Sequence, residues 1–234
     1  MILEPIGVVE PHSDFLEEVA RLTRRAGALL VFDEIITGFR LSLGGAQEHF
    51  DVIPDLACFG KAMANGYPIS AVVGRRDIMQ VFDQVFFSFT FGGETVSLAA
   101  AVATINEIKE RDVVSHLWEQ GRVLQDGYQA LVRQFQLGAH SRCVGLAPRT
   151  TIDFWNENGT QSFVLKSLFQ QECVKRGVLF TGAHNICYSH TAKDIVETLD
   201  TYRAALEIVA DAVGQGDARD RLAGKPVEPV FRQP

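Results

Sequence analysis

The run Ala28-Leu29-Leu30-Val31-Phe32, closed directly by Asp33 and Glu34, constrains this chain more than any other feature. Apolar residues without alternation read as a strand buried on both faces, the pattern that helix-covered parallel sheets produce. A helix precedes it. Ser13 is placed as its N-cap, Phe15, Leu16, Val19 and Leu22 form one stripe, and Gly27 stops it after Arg25. A second compact strand, Leu56 to Phe59, ends in Gly60-Lys61. A third, Ile69 to Val73, ends in Gly74-Arg75-Arg76, and a fourth, around Val85 to Phe89, runs into Thr90-Phe91-Gly92-Gly93. Ile2-Leu3 is only a short apolar start, broken by Glu4-Pro5. Apolar runs alternating with amphipathic helical patterns predict α/β architecture.

From Thr95 to about Glu110 a long helix carries Leu98, Val102, Ile105 and Ile108 at helical spacing, and another covers Val114 to Phe135. The composition changes after Gly138. A strand-like stretch, Thr150 to Trp155, precedes a polar turn. A helix from Ser162 to Arg176 stops at Gly177, and Val178-Leu179-Phe180 offers a further strand. The last helix, Lys193 to Val213, is capped by Thr191 and carries Ile195, Leu199, Tyr202, Leu206, Val209 and Val213 on one face. The expected organisation is therefore a larger α/β portion, residues 1–138, a smaller α+β domain, residues 139–213, and a loosely ordered tail, residues 214–234.

Composition excludes several classes. With 47% hydrophobic residues the chain is not disordered, because it can bury enough surface to offset its ordering entropy. A formal net charge of −7 argues against a nucleic-acid binder that tracks phosphates. No apolar run approaches the roughly 18–20 residues of a membrane helix, and the first residues lack a signal peptide's basic and apolar regions. A soluble, cytoplasmic protein with no nucleic-acid or membrane partner is expected. Cys58, Cys143, Cys173 and Cys187 form no C-x-x-C pair and read as buried free thiols. The sequon at Asn158 matters only in a secreted chain. No His, Asp or Glu cluster has metal-ligand spacing.

In open parallel sheets, ligands sit outside the carboxyl ends of the strands. Asp33 and Lys61 both fall there. A carboxylate and a lysine in that position suggest a pyridoxal phosphate (PLP) site. That cofactor needs an amine for a Schiff base with its aldehyde and an acid to keep its pyridine nitrogen protonated. Spacing alone leaves Asp33 open as a carboxylate capping the next turn, and Lys61 as a solvated surface residue. Gly44-Gly45 and Gly92-Gly93 are no phosphate fingerprint and read as turns that permit unusual dihedrals. Arg75-Arg76 reads as a solvated turn before a helix, and His184 and His190 as satisfied loop or core histidines.

The local sequence goes further. Gly27-Ala-Leu-Leu-Val-Phe-Asp-Glu-Ile-Ile-Thr-Gly-Phe-Arg40 is followed by Leu43-Gly-Gly-Ala-Gln47 and Pro54-Asp55. Phe59-Gly-Lys-Ala-Met-Ala-Asn-Gly-Tyr-Pro-Ile-Ser70, Gly74-Arg-Arg-Asp-Ile-Met79 and Phe89-Thr-Phe-Gly-Gly-Glu94 complete the order. This succession resembles the class III (fold type I) PLP-dependent aminotransferases. It is most similar to the glutamate-1-semialdehyde 2,1-aminomutase branch and its sugar or amino-acid aminotransferase relatives. The best-matched stretch is Gly27 to Glu110, with weaker resemblance from Glu4 to the final helix.

The resemblance implies a large-domain portion with a mostly parallel sheet and a C-terminal α+β small domain. It implies that Asp33 pairs with the pyridinium nitrogen and that Ile35 packs against one face of the ring. Lys61 would form the Schiff base and, once released by substrate, shuttle the proton of the 1,3-prototropic shift. Thr90 would reach the cofactor phosphate of a neighbouring subunit, which implies a homodimer with shared sites. Ile36 stands where many class III enzymes have Gln, a departure that favours the aminomutase-like branch. Gly92-Gly93-Glu94-Thr95 replaces the family's Ser-Gly-Asn-Pro run. The reaction implied is amino-group transfer between small-molecule donors and acceptors, aminomutase-like, or that of a class III aminotransferase on another amino acid or a keto or aldehyde sugar.

The family's chain is roughly twice as long, and this one starts near its middle. The glycine/serine loop that holds the phosphate, and the aromatic residue on the ring's other face, would then come from a complementary N-terminal segment. The remaining alternative is a non-catalytic fragment.

Overall fold

In a computed structural model, which describes residues 1–86 and 89–228, the chain divides into two compact units, Met1–His116 and Leu117–Pro234. The division falls inside the long helix rather than at Gly138, where the composition changes and that helix has already ended.

The first unit holds a sheet in the order β1-β2-β3-β4: β1 Ile2–Leu3, β2 Val31–Asp33, β3 Leu56–Phe59 and β4 Ala71–Gly74. The β1–β2 and β2–β3 pairs are parallel and β3–β4 is antiparallel, so the sheet is mostly parallel, as the sequence predicts. Ile2-Leu3 is a strand in its own right: the Val31 amide donates to the Met1 carbonyl at 2.9 Å. β4 reverses direction because residues 60–70 contain only the short 3-10 turn Lys61–Ala64 and no crossover helix that could return the chain for a parallel pairing.

The strand expected from Ala28 begins only at Val31. Ala28 N–H is taken by the Thr23 carbonyl, which closes the preceding helix, and the Leu30 carbonyl accepts from Asp55 and Leu56 at the entry to β3. Phe32 is fully buried but Val31 and Asp33, on the opposite face, are half-buried, so only one face of β2 is closed. Helix α1 (Phe15–Arg25) starts after Asp14 rather than Ser13. It buries Leu16 and Thr23, with Val19 and Ala20 packed beside them, while Phe15 and Leu22 stay about half exposed. Leu16, Leu30, Phe32 and Val52 form one apolar cluster.

A short helix α2 (Ala46–His49) lies between β2 and β3, and α3 (Arg76–Met79) follows β4. Helix α4 (Thr95–Glu110) has the expected bounds, but it buries Ser97, Ala101 and Ile108 and leaves Leu98 and Val102 44% and 62% exposed. Its Ala101 joins a second cluster with Ala57, Phe59, Met63 and Ala64. The strand expected around Val85 to Phe89 is not formed by Val85, Phe86 or Phe89; residues 87 and 88 lie outside the described residues.

In the second unit an antiparallel sheet runs β5-β6-β7: β5 Ser141–Leu146, β6 Arg149–Phe154 and β7 Ala183–Asn185. β6 answers to the strand-like stretch at Thr150. Val178-Leu179-Phe180 is not a strand, because Val178 N–H closes the helix before it by donating to Cys173 and the pairing passes to β7. Helices α5 (Val113–Gln134), α6 (Phe163–Lys175) and α7 (Ala192–Gln215) complete the element order. Ser162 caps α6, and Thr191 with Asp194 forms a capping box on α7. The core is aromatic: the Phe169 ring lies 5.1 Å from Tyr202, 5.4 Å from Phe154 and 6.0 Å from Tyr128.

Two expectations need correction here. Residues 217–228 are not loose, since Gln171 takes the Arg221 carbonyl at 3.0 Å and the Ala223 amide at 2.7 Å, and Val227 N–H donates to Ser167. Residues 229–234 of the tail lie outside the described residues. Of the cysteines, Cys143 and Cys173 are buried as expected, with thiols pushed up by burial to about 11 and about 12, but Cys58 is half-buried and Cys187 exposed. Among the described residues no helix is long and apolar enough to cross a membrane.

Candidate active site

The C-terminal ends of β2 and β3 carry the residues of interest. The parallel register sets Asp33, the last residue of β2, opposite Cys58, and the Glu34 amide continues the ladder by donating to the Cys58 carbonyl at 2.9 Å. Asp33 is half-buried. Its Oδ1 accepts from the Ile35 amide at 3.0 Å, and among the described residues its Oδ2 has no hydrogen-bond partner. Asp33 does cap its own turn, then, and one oxygen is left over. Burial, with the Asp33 charge beside it, pushes the Cys58 thiol up, so Cys58 is an inert neighbour.

β3 delivers Lys61 by way of Gly60. Gly60 is buried, and a Cβ there would stand 2.9 Å from Ile35 Cδ1. Ile35 therefore packs over the backbone that leads directly into Lys61. Lys61 takes a left-handed conformation, φ 41°, unusual for a residue with a side chain. The turn it opens is anchored by buried Met63 and Ala64, which belong to the cluster containing Ala101 of α4. The Lys61 side chain is exposed on this anchored turn. The carboxyl ends of the adjacent inner strands β2 and β3 thus carry a half-buried carboxylate, an apolar side chain packed on Gly60 and an exposed amine.

Glu34 was visible in the sequence only as Asp33's neighbour. It is completely buried. Its carboxylate accepts from the Ala46 and Gln47 amides at 2.8 Å each and from the Thr37 hydroxyl. Gly45 alone of the four singled-out glycines is left-handed, at φ 87°, and a Cβ there would come within 2.5 Å of the Glu34 carboxylate. No sequence signal announces these partners, which lie a loop away.

Thr90 is exposed, in the turn that leads into α4, and neither β2 nor β3 holds it. The departure beside it has a structural cause: Glu94 caps α4, accepting from Val96 N–H at 2.8 Å and Ser97 N–H at 2.7 Å. Arg75 pairs with Asp55 and Asp77, each at 2.7 Å, at the start of α3. His184 is a satisfied core histidine, bonded to Thr150 and Tyr202, and His190 Nδ1 accepts from the Cys187 amide.

Residues 1–213 match the model of the family described as Aminotransferase class-III. The chain is 36% identical over 228 residues to the glutamate-1-semialdehyde 2,1-aminomutase of Thermomicrobium roseum, covering 90% of this chain and 53% of that protein. It is 37% identical over 216 residues to the 3-aminobutyryl-CoA aminotransferase of Cloacimonas acidaminovorans, covering 88% and 51%. Among solved structures, the FumI protein of Sphingopyxis sp. MTA144, in its PLP internal aldimine form, superposes with a TM-score of 0.82 at 28% identity, over 91% of this chain and 52% of that one. The chain spans about half the length of the curated relatives it matches. With the family model matched over residues 1–213 of a chain whose first sheet is mostly parallel, the chain belongs to the class III aminotransferases.

Proposed function

We propose that this chain is the lysine-bearing part of a PLP-dependent enzyme that transfers amino groups, with glutamate-1-semialdehyde 2,1-aminomutase as its leading activity. The observation that carries the reading is the β2–β3 register, with Asp33 and Lys61 at the carboxyl ends of adjacent parallel strands and Ile35 against Gly60 between them. Similarity to the aminomutase of Thermomicrobium roseum and the apolar Ile36 support the aminomutase branch. Similarity to the 3-aminobutyryl-CoA aminotransferase supports the second reading, an aminotransferase acting between separate donors and acceptors.

The residues present fit the cofactor. Bound PLP supplies an aldehyde for Schiff-base formation and a protonated ring that withdraws electrons. Asp33 would hold the ring nitrogen and its proton through Oδ2, which has no hydrogen-bond partner among the described residues. Ile35 supplies the apolar surface for one ring face and excludes water from it. Lys61 Nζ would provide the amine for the Schiff base and, when not so engaged, would carry the proton moved in the 1,3-prototropic shift from one carbon to the other. Thr90, exposed ahead of α4, is assigned to a phosphate oxygen across a homodimer. Residues 1–138 are the large-domain portion in this reading and residues 139–213 the small domain, and a complementary N-terminal segment supplies the phosphate loop.

The test is chemical. The chain is incubated with PLP, alone and with a complementary N-terminal segment, reduced with borohydride and mapped by peptide mass. Label on Lys61 that Lys61→Ala abolishes is expected. Absence of label in both preparations overturns the reading in favour of a non-catalytic fragment, and amino transfer from separate donors without aminomutase turnover selects the second reading.

A further inference from the structure

Glu34 follows the proposed ring-nitrogen partner directly, and among the described residues it is the most deeply buried acid. It is completely buried, and among the described residues no cation pairs with it. An isolated buried carboxylate is costly unless hydrogen bonds replace its water. Three donors do so here. Oε2 accepts from the Ala46 amide at 2.8 Å and from the Thr37 hydroxyl, and Oε1 accepts from the Gln47 amide at 2.8 Å. Each oxygen thus receives a backbone N–H, so an amide side chain in its place meets N–H with N–H whichever way it is turned. The backbone of Glu34 is fixed as well: its amide donates to the Cys58 carbonyl on β3, and its carbonyl accepts from Gly38 at 2.8 Å.

We propose that Glu34 is a positioning residue. Its carboxylate ties the turn after β2 to the backbone at residues 46–47 and so presets Asp33 and Ile35 for the cofactor ring. The inference rests on the cofactor reading above for its consequence, but its geometric core stands without it. The link to Asp33 is short, since the Ile35 amide donates to Asp33 Oδ1 at 3.0 Å and any twist of the turn through Glu34 moves both. Gly45 belongs to the same device, because its left-handed backbone gives Glu34's carboxylate room that a Cβ would fill.

The experiment compares the full chain with E34Q and with L16A, a core truncation in the same unit that lies in the Leu16, Leu30, Phe32 and Val52 cluster and touches none of these groups. Two readouts are taken: amide hydrogen exchange at Ile35, Ala46 and Gln47, and the PLP concentration that half-saturates borohydride labelling of Lys61. In E34Q, exchange at all three amides is expected to rise at least tenfold, and the half-saturating PLP concentration at least tenfold. L16A, at an equal loss of melting temperature, is expected to leave both within twofold. Equal shifts in the two variants, or Ile35 exchange in E34Q unchanged from wild type, overturn the proposal. If the wild-type chain takes no label, the cofactor reading fails, and the Ile35 exchange still decides whether Glu34 positions the turn.

Discussion

His184 sits between two hydroxyl groups, Thr150 Oγ1 at 2.7 Å from Nδ1 and Tyr202 Oη at 2.9 Å from Nε2. Burial, with the His190 charge beside it, pushes its pKa down to about 4. The folded state therefore binds fewer protons than the unfolded state wherever the pH lies between the two values, and stability falls as pH drops from 6.5 toward 4. At pH 5 this ring alone should cost about 2 kcal/mol relative to pH 7. Urea unfolding at both pH values checks it: His184→Gln should lose that much less than wild type on acidification. Equal losses would mean that the ring opens to solvent before it titrates. Glu172 works in the same direction, in a lower pH window. Its side chain is nearly buried; that burial, which by itself would raise its carboxyl, is outweighed by hydrogen bonds from Lys175 and Arg176, each at 2.7 Å, and from Gln171, which hold it down at about 2. Its contribution is intact above pH 4.5 and is lost as pH falls toward 2. Because Lys175 is itself largely exposed, Glu172→Gln should remove only about 1–2 kcal/mol at pH 7, and nearly none below pH 2.

Between elements, the space around a glycine decides which substitutions the scaffold tolerates. A Cβ at Gly121 on α5 would lie 2.0 Å from the Ala147 carbonyl oxygen in the turn between β5 and β6. The obstacle is backbone and cannot rotate away, so Gly121→Ala should cost about 1–3 kcal/mol despite alanine's better helix propensity. Gly93→Ala, with open space around the added carbon and no left-handed φ, should be neutral within about 0.5 kcal/mol, and parallel thermal melts compare them. The elements themselves were largely legible. Leu56–Phe59 and Thr95–Glu110 have the bounds that the apolar runs and periodicity set, and Thr191 caps α7 as its side chain suggested. The buried face of α4 was not legible, because alanines and Val96 make other sides apolar too, and the Leu98 and Val102 stripe is not the one the unit buries. The antiparallel direction of β4 follows from the short connection, since residues 60–70 cannot hold a crossover. At the candidate site the motifs expose Asp33 and Lys61 but not what joins them. Ile35 against Gly60 follows from strand register, and Glu34's donors lie twelve and thirteen residues on, beyond any local pattern.

At the scale of the whole molecule, the polarity of the surface becomes the question. In the first unit Phe86 is 96% exposed and Phe91 74%, and Val102 stands out from α4 with Leu98 one turn behind it. Apolar side chains scattered singly on a surface need no explanation, but aromatic and aliphatic groups gathered between residues 81 and 102 raise the expectation of association. The last strand, β4, adds to it. Among the described residues it pairs on one side only, with β3, and Val72 and Val73 on it are exposed, so both its edge and its face invite a further chain. Association through α4 can be tested without disturbing the fold, because Val102 is already in solvent. Val102→Lys should change unfolding stability by less than about 0.5 kcal/mol. Sedimentation velocity over a range of concentrations should show the wild-type chain growing in apparent mass while Val102→Lys stays nearer 25.8 kDa. Identical concentration dependence in the two chains would place the contact elsewhere, on β4, where Val73→Lys then becomes the deciding variant.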